Sequence, residues 1–192
     1  MFHYMLNVGL FCTSSQSAPL PCITVAQQLG RWIGTHRSSL IYGGVDCGLM
    51  YETAYNVKHY GGQITGVITS ALEAGGIASS LPDILIRTTS LSQRKQTMME
   101  LADIFVVLPG GIGTLDETLS VLAAAHLQEH KKPLILLNLD GFFNPILNLF
   151  EQFYATGYAS EKYREYYINV TEWDDCIKIL TENLNEKLHN KK

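Results

Sequence analysis

Charge is scarce in this chain of 192 residues: 17% of positions are Asp, Glu, Lys or Arg, and 14 Lys+Arg against 18 Asp+Glu leave a formal net charge of -4. Such a surface has no general attraction for nucleic acid or an anionic membrane, so any phosphate must be caught locally. The aromatic residues are spread along the chain rather than interleaved with basic ones, which also excludes a nucleic-acid face. Cysteine is sparse as well. Cys12, Cys22, Cys47 and Cys176 form no CxxC pair and no zinc-ligand spacing, and read as reduced thiols. The apolar runs, such as "PLILLNL", are too short to span a bilayer. The N-terminal "MFHYMLNVGLF" lacks a basic segment followed by a long apolar one, so no signal peptide is expected and the cytoplasm is the expected location. No G-x-S-x-G elbow and no Walker A lysine occur in the glycine loops, which argues against a serine hydrolase or a P-loop enzyme.

What the chain does have is 46% hydrophobic residues, arranged as short β-rich runs that alternate with helical stretches. Strands are expected at Met5–Phe11, Leu40–Tyr42, Gln63–Ile68, Ile84–Thr88, Ile104–Leu108, Leu134–Asn138 and Tyr167–Val170. Helices are expected near residues 21–36, 48–60, 91–102, 115–129, 143–155 and 172–188. Strands alternating with helices imply βαβ units and a parallel sheet covered on both faces. The expected fold is α/β: one doubly wound domain over residues 1–188 with about seven mostly parallel strands, and a frayed tail at 189–192. In such sheets ligands bind beyond the carboxyl ends of the strands, where strand order reverses. The small-residue loops "CTSSQS", "GGVDCG" and "PGGIGT" all fall at those ends and are expected to converge.

The loop "LPGGIGTLDETL" carries two readings. Glycines after a strand let backbone N–H groups approach an anion, and the helix that follows adds its positive end. Thr114-Leu115-Asp116-Glu117 also spells a capping box, in which Glu117 needs no chemical role. In "SLSQRKQTMMELAD", Ser90 or Ser92 can cap a helix whose inward face holds Leu91, Met98, Leu101 and Ala102. Arg94 and Lys95 share that face, so they either reach into a cleft with a partner or snorkel along the edge to water. Gly43 and Gly44, at a strand end, suit close ligand approach or close helix packing. "HLQEH", His126 to His130, matches an H-x-x-E-H metal pattern, but it ends a helix at the opposite edge from the glycine loops. It is expected to be a pair of solvated histidines, with no metal site.

"RKQTM" followed by "LPGGIGTLDE" resembles the paired signature R-K-x-x-M and P-G-G-x-G-T-x-x-E of the LOG family, the cytokinin riboside 5'-monophosphate phosphoribohydrolases often labelled "lysine decarboxylase". The likeness continues through "FCTSS", "YGGVDCGLM", "ELADIFVVL" and "KPLILLNLDGFFNPIL", and covers roughly residues 6–158. The resemblance implies a Rossmann-like fold, a homodimer or a larger homo-oligomer, no cofactor, and hydrolysis of a nucleoside 5'-monophosphate to free base and ribose 5-phosphate. It implies Arg94 and Glu117 as the catalytic pair. Gly110, Gly111, Gly113 and Thr114 would cradle the phosphate with Lys95, Ser14 and Ser15 near, and Gly43 and Gly44 beside the substrate. Glu117, near a helix start, is expected to stay ionised. A rival implication is a non-catalytic carrier of a nucleotide or of the molybdenum cofactor. Val45, Tyr51, Thr69, Ser92 and Gln93 depart from the family pattern, and are expected to cluster around the substrate and bear on which base is accepted.

Overall fold

The computed structural model describes residues 6–189. Its strands are β1 (Asn7–Phe11), β2 (Ser39–Tyr42), β3 (Gln63–Thr69), β4 (Ile84–Thr88), β5 (Ile104–Val107), β6 (Leu134–Leu137) and β7 (Ile168–Val170). They form a single sheet in the order β4-β3-β2-β1-β5-β6-β7, with every neighbouring pair parallel. The chain winds outward from β1 to one edge, returns, and winds from β5 to the other. Strand order therefore reverses between β1 and β5.

Among the described residues seven α-helices flank the sheet: α1 (Leu20–Thr35), α2 (Gly48–His59), α3 (Ser70–Ala74), α4 (Leu91–Leu101), α5 (Ile112–His126), α6 (Asn144–Thr156) and α7 (Trp173–His189). One core cluster joins Leu29, Ile33, Leu49, Val57, Leu180 and Leu184 of α1, α2 and α7 to the sheet. A second joins Met98, Val121, Leu122 and Phe143 to Phe11, Phe105 and Val107 on the opposite face. The fully buried "IFVV" of β5 and "LILL" of β6 are apolar at every position because helices lie on both sides of them. Among the described residues no helix is long and apolar enough to cross a membrane.

Several boundaries differ from the sequence expectation. β1 begins at Asn7, and Met5 lies outside the described residues, as do 190–192 of the expected tail. His189, expected to fray, closes α7. The short helix α3 was not foreseen. Five residues are too few for a periodic signal, and Thr69 starts it by accepting a bond from the Leu72 N–H at 3.3 Å. Leu91, expected to face inward, is 58% exposed, because α4 begins there and its first turn projects beyond the sheet.

The histidines of "HLQEH" are half-buried rather than freely solvated. α5 ends at His126, whose ring stacks on Tyr163 at 4.3 Å between centroids. His130 places Nε2 3.1 Å from the Val121 carbonyl, and burial pushes its pKa down. Among the described residues no group of three or more His, Cys, Asp or Glu side chains could hold a metal ion.

Candidate functional site

The loops after β1, β2 and β5 meet at the point where strand order reverses. Thr13 N–H donates to the Pro109 carbonyl at 3.2 Å, and Leu49 N–H donates to the Thr13 carbonyl at 3.1 Å, so backbone bonds tie the three loops together. They open onto a cavity of about 520 Å³ lined by Thr13, Ser14, Ser15, Gly43, Arg94, Gly111, Gly113, Thr114 and Glu117, with Val45, Met50, Leu72 and Ile77 as an apolar wall.

The glycine segment does two different jobs. A Cβ on Gly110 would stand 2.1 Å from Thr114 Oγ1 and 2.9 Å from the Thr13 nitrogen, so Gly110 serves loop packing. At Gly111 and Gly113 a Cβ would meet nothing within 4 Å, which leaves bare backbone on the open side. α5 starts at Ile112 with Gly111 as its N-cap, and no side chain caps it. Thr114 and Glu117 therefore do not form the capping box that their spacing spells. Thr114 sits inside the first turn, and the first turn contains no acidic residue. The positive helix end and its unpaired N–H groups face outward.

The capping interaction lies on α4 instead. Ser90 Oγ accepts from the Gln93 N–H at 3.2 Å, while Gln93 Oε1 accepts from the Thr89 N–H at 2.8 Å. That reciprocal cap fixes the start of α4 and so the direction in which Arg94 leaves it. Arg94 is 8% exposed and Glu117 5%. Arg94 Nη1 donates to Glu117 Oε1 at 2.7 Å, and Arg94 Nε to the Val67 carbonyl at 2.9 Å. One residue later on α4 and one residue earlier on α5, Lys95 Nζ lies 2.6 Å from Asp116 Oδ1. α4 and α5 are thus joined by two rungs, one buried and one at the surface. Lys95 does not line the cavity, and its charge is taken up by Asp116.

Burial pushes the Glu117 carboxyl above its ordinary pKa. Arg94 draws it back by charge and hydrogen bond, Asp116 raises it and Lys95 lowers it, with burial the largest influence. The helix start, expected to hold the carboxylate in its charged form, is not the leading influence on it. Glu117 stands well inside α5 rather than at its first turn, and the burial that the sequence conceals outweighs its partner. Cys12, beneath the pair, is pushed up by burial and by the Glu117 charge, which makes it an unreactive thiol.

Gly43 owes its identity to Arg94. A Cβ there would stand 2.4 Å from Arg94 Nη2 and 3.2 Å from Met50 Sδ. Its neighbour Gly44 has φ +72, a backbone region unfavourable to other residues. Gly43→Ala is expected to push the guanidinium off Glu117, lowering kcat at least about tenfold while KM changes little. The loss follows from misplacement rather than removal of a charged group. Steady-state kinetics beside a melting curve measure it.

Of the five departures from the family pattern only Val45 lines the cavity. Tyr51 is 38% exposed along α2, Thr69 caps α3, and Ser92 and Gln93 are exposed at the start of α4. Among the lining residues that sequence reasoning missed are Met50, Leu72 and Ile77. No local pattern marks them, because they reach the cavity only through the crossing of α2 and the α3 loop over the sheet.

A family model described as "Possible lysine decarboxylase" matches residues 49–180. A cytokinin riboside 5'-monophosphate phosphoribohydrolase of Arabidopsis thaliana is 34% identical over 176 residues, covering 92% of this chain and 81% of the relative. One from Oryza sativa subsp. japonica is 31% identical over 180 residues, covering 94% and 74%. Among solved structures, the molybdenum cofactor binding protein of Rippkaea orientalis superposes with a TM-score of 0.70 at 22% identity, covering 92% of this chain and 96% of that one. The molybdenum cofactor carrier protein of Chlamydomonas reinhardtii gives 0.70 at 22% over 94% and 98%. Those two likenesses establish the shared fold. The family match and the curated relatives go further: this chain belongs to the LOG family, the phosphoribohydrolase family whose model is described as a lysine decarboxylase.

Proposed function

We propose that this protein hydrolyses the N-glycosidic bond of a nucleoside 5'-monophosphate, a cytokinin riboside monophosphate or an AMP-like nucleotide, giving free base and ribose 5-phosphate. The observation that carries the reading is the buried Arg94–Glu117 pair, 2.7 Å apart, facing the same cavity as the uncapped start of α5. The 5'-phosphate rests on the bare backbone of Gly111 and Gly113, within reach of the Ser14 and Ser15 loop. The ribose lies at Glu117, and the base lies against Val45, Met50, Leu72 and Ile77.

Cleavage breaks the C1'–N bond, whose electron pair leaves with the base, and positive charge builds on the sugar. A carboxylate beside C1' stabilises that charge and takes a proton from the attacking water, as carboxylates do in glycoside hydrolysis. A pKa raised toward neutrality suits Glu117 to accept that proton. Arg94 fixes the carboxylate and offsets its repulsion with the phosphate. Lys95, held by Asp116, contributes by tying α4 to α5.

Purified protein incubated with AMP, other nucleoside monophosphates and isopentenyladenosine monophosphate is expected to release free base from at least one of them, read by chromatography. Binding of a nucleotide with no base released at high enzyme concentration selects the carrier reading instead, for which the molybdenum cofactor proteins supply a likeness of fold. A second check isolates the phosphate cradle. Gly113→Ala adds a methyl group where no protein atom lies within 4 Å. In helix α5 it is expected to raise stability by about 0.5–1 kcal/mol and to weaken nucleotide affinity at least about tenfold, seen by paired melting and titration.

A further inference from the structure

The crevice at the strand reversal has two chambers. A second cavity of about 370 Å³ lies on the α1 side of the loop after β1 and shares Thr13, Ser15 and Gly111 with the first. Its walls are largely apolar, with Cys22, Leu49, Leu139 and Phe142 among them, and Ser17 and Asp140 bring polar groups. The volume falls in the range of small-ligand pockets, and nothing in the proposed hydrolysis uses it.

The loop after β6 that builds this chamber is held in an uncommon shape. Asp140 has φ 51 and ψ 26, in the left-handed region, and Gly141 follows at φ +73. Buried Asn138 holds the turn: its Oδ1 accepts from the Phe143 N–H at 2.7 Å, and its Nδ2 donates to Asn144 Oδ1 at 2.8 Å. The turn leaves Phe142 49% exposed, and both Asp140 and Phe142 border the chamber. An aromatic face and a carboxylate acceptor beside an apolar slot suit a planar ring that bears amino or hydroxyl donors. A left-handed non-glycine residue of this kind persists where the surroundings hold it, and such residues gather at ligand clamps.

The two chambers share Thr13, Ser15 and Gly111 as a common border. With the 5'-phosphate on Gly111 and Gly113, a reading on which this inference rests, a group carried on that phosphate points across Ser15 into the second chamber. Crevices at a strand reversal accept dinucleotides in this way, one half on each side. We infer that the protein binds nucleotides whose 5'-phosphate is joined through a second phosphate to another nucleoside, with the second ring between Phe142 and Asp140.

The probes are AMP, ADP and diadenosine diphosphate, titrated calorimetrically into Glu117→Gln protein so that turnover does not intrude. Diadenosine diphosphate is expected to bind at least about tenfold more tightly than ADP, the lower part of the range for one stacked base. Phe142→Ala is expected to remove that gain, leave AMP affinity unchanged, and leave base release from AMP unchanged in the otherwise native protein. Equal affinity for ADP and diadenosine diphosphate overturns the inference while the proposed function stands. So does a Phe142→Ala variant that weakens AMP and diadenosine diphosphate alike, since the chamber would then hold the base of a monophosphate. Failure of AMP itself to bind overturns both readings. Phe142 is half exposed, and an unchanged melting curve separates loss of the ring from loss of the fold.

Discussion

Glu117→Gln protein is expected to fold, to melt no lower than the unsubstituted protein at pH 7, and to release base about 100-fold more slowly or worse. The rate loss follows because the amide keeps the shape and can still accept from Arg94 Nη1. It can neither take a proton from water nor supply the negative charge that an oxocarbenium-like sugar requires. The stability expectation follows from the upward shift of the carboxyl. A carboxyl whose folded pKa lies above its unfolded value contributes stability that is complete below the unfolded value. That contribution is lost as pH rises through the folded one. The melting temperature of Glu117→Gln minus that of the native protein should therefore grow from the ordinary carboxylate range upward and level off above the folded pKa. A difference that falls with pH instead would mean that Arg94 outweighs burial, and that Glu117 works as a fully formed carboxylate rather than one poised to exchange a proton.

Arg94→Ala is expected to be costly in a different way. It removes turnover, and it also leaves a nearly buried carboxyl without its cation and the Val67 carbonyl without its donor. Breaking one side of a buried pair costs about 3–5 kcal/mol, which for a chain of this size lowers the melting temperature by roughly 10 °C. The loss should be largest at pH 8 and smaller at pH 5, where Glu117 can escape by protonation. Adding Glu117→Gln to Arg94→Ala should recover part of the lost stability and none of the activity. A strictly additive double variant would show that the two side chains do not act as a unit. Melting curves of the four proteins across pH decide it.

These expectations rest on features that the sequence disclosed unevenly. The parallel sheet was legible because β5 and β6 are apolar at every position, which only two-sided coverage explains. The convergence of the small-residue loops was legible because all three follow strands, and doubly wound topology sends such ends to one edge. Arg94 stood out as a charge on an inward helix face and Glu117 through the family signature; 23 residues apart in sequence, they join in space. The capping box spelled at Thr114 misled. Thr114 and Glu117 have the spacing, but the chain turns into α5 at Ile112, so both residues lie inside the helix. Ser90 and Gln93 have the same spacing and do cap, because Ser90 is extended just beyond β4 and α4 begins at Leu91. Spacing alone carries no information about where the backbone first becomes helical. Lys95 was grouped with Arg94 by adjacency, yet one step around α4 turned it from the cavity to Asp116. The apolar wall stayed hidden for another reason: Met50, Leu72 and Ile77 are ordinary residues whose meaning comes entirely from long-range packing.

On the proposed hydrolysis, the bare start of α5 has a kinetic consequence. A helix without its own cap is completed by whatever phosphate settles on it, and ribose 5-phosphate carries the same phosphate as the nucleotide it came from. Cleaving the glycosidic bond leaves that attachment untouched. The departing base needs only to quit an apolar wall, whereas the sugar phosphate must give back the hydrogen bonds that finish the helix. On the proposed hydrolysis, product is expected to leave in two unequal stages, the base first and the sugar phosphate after it.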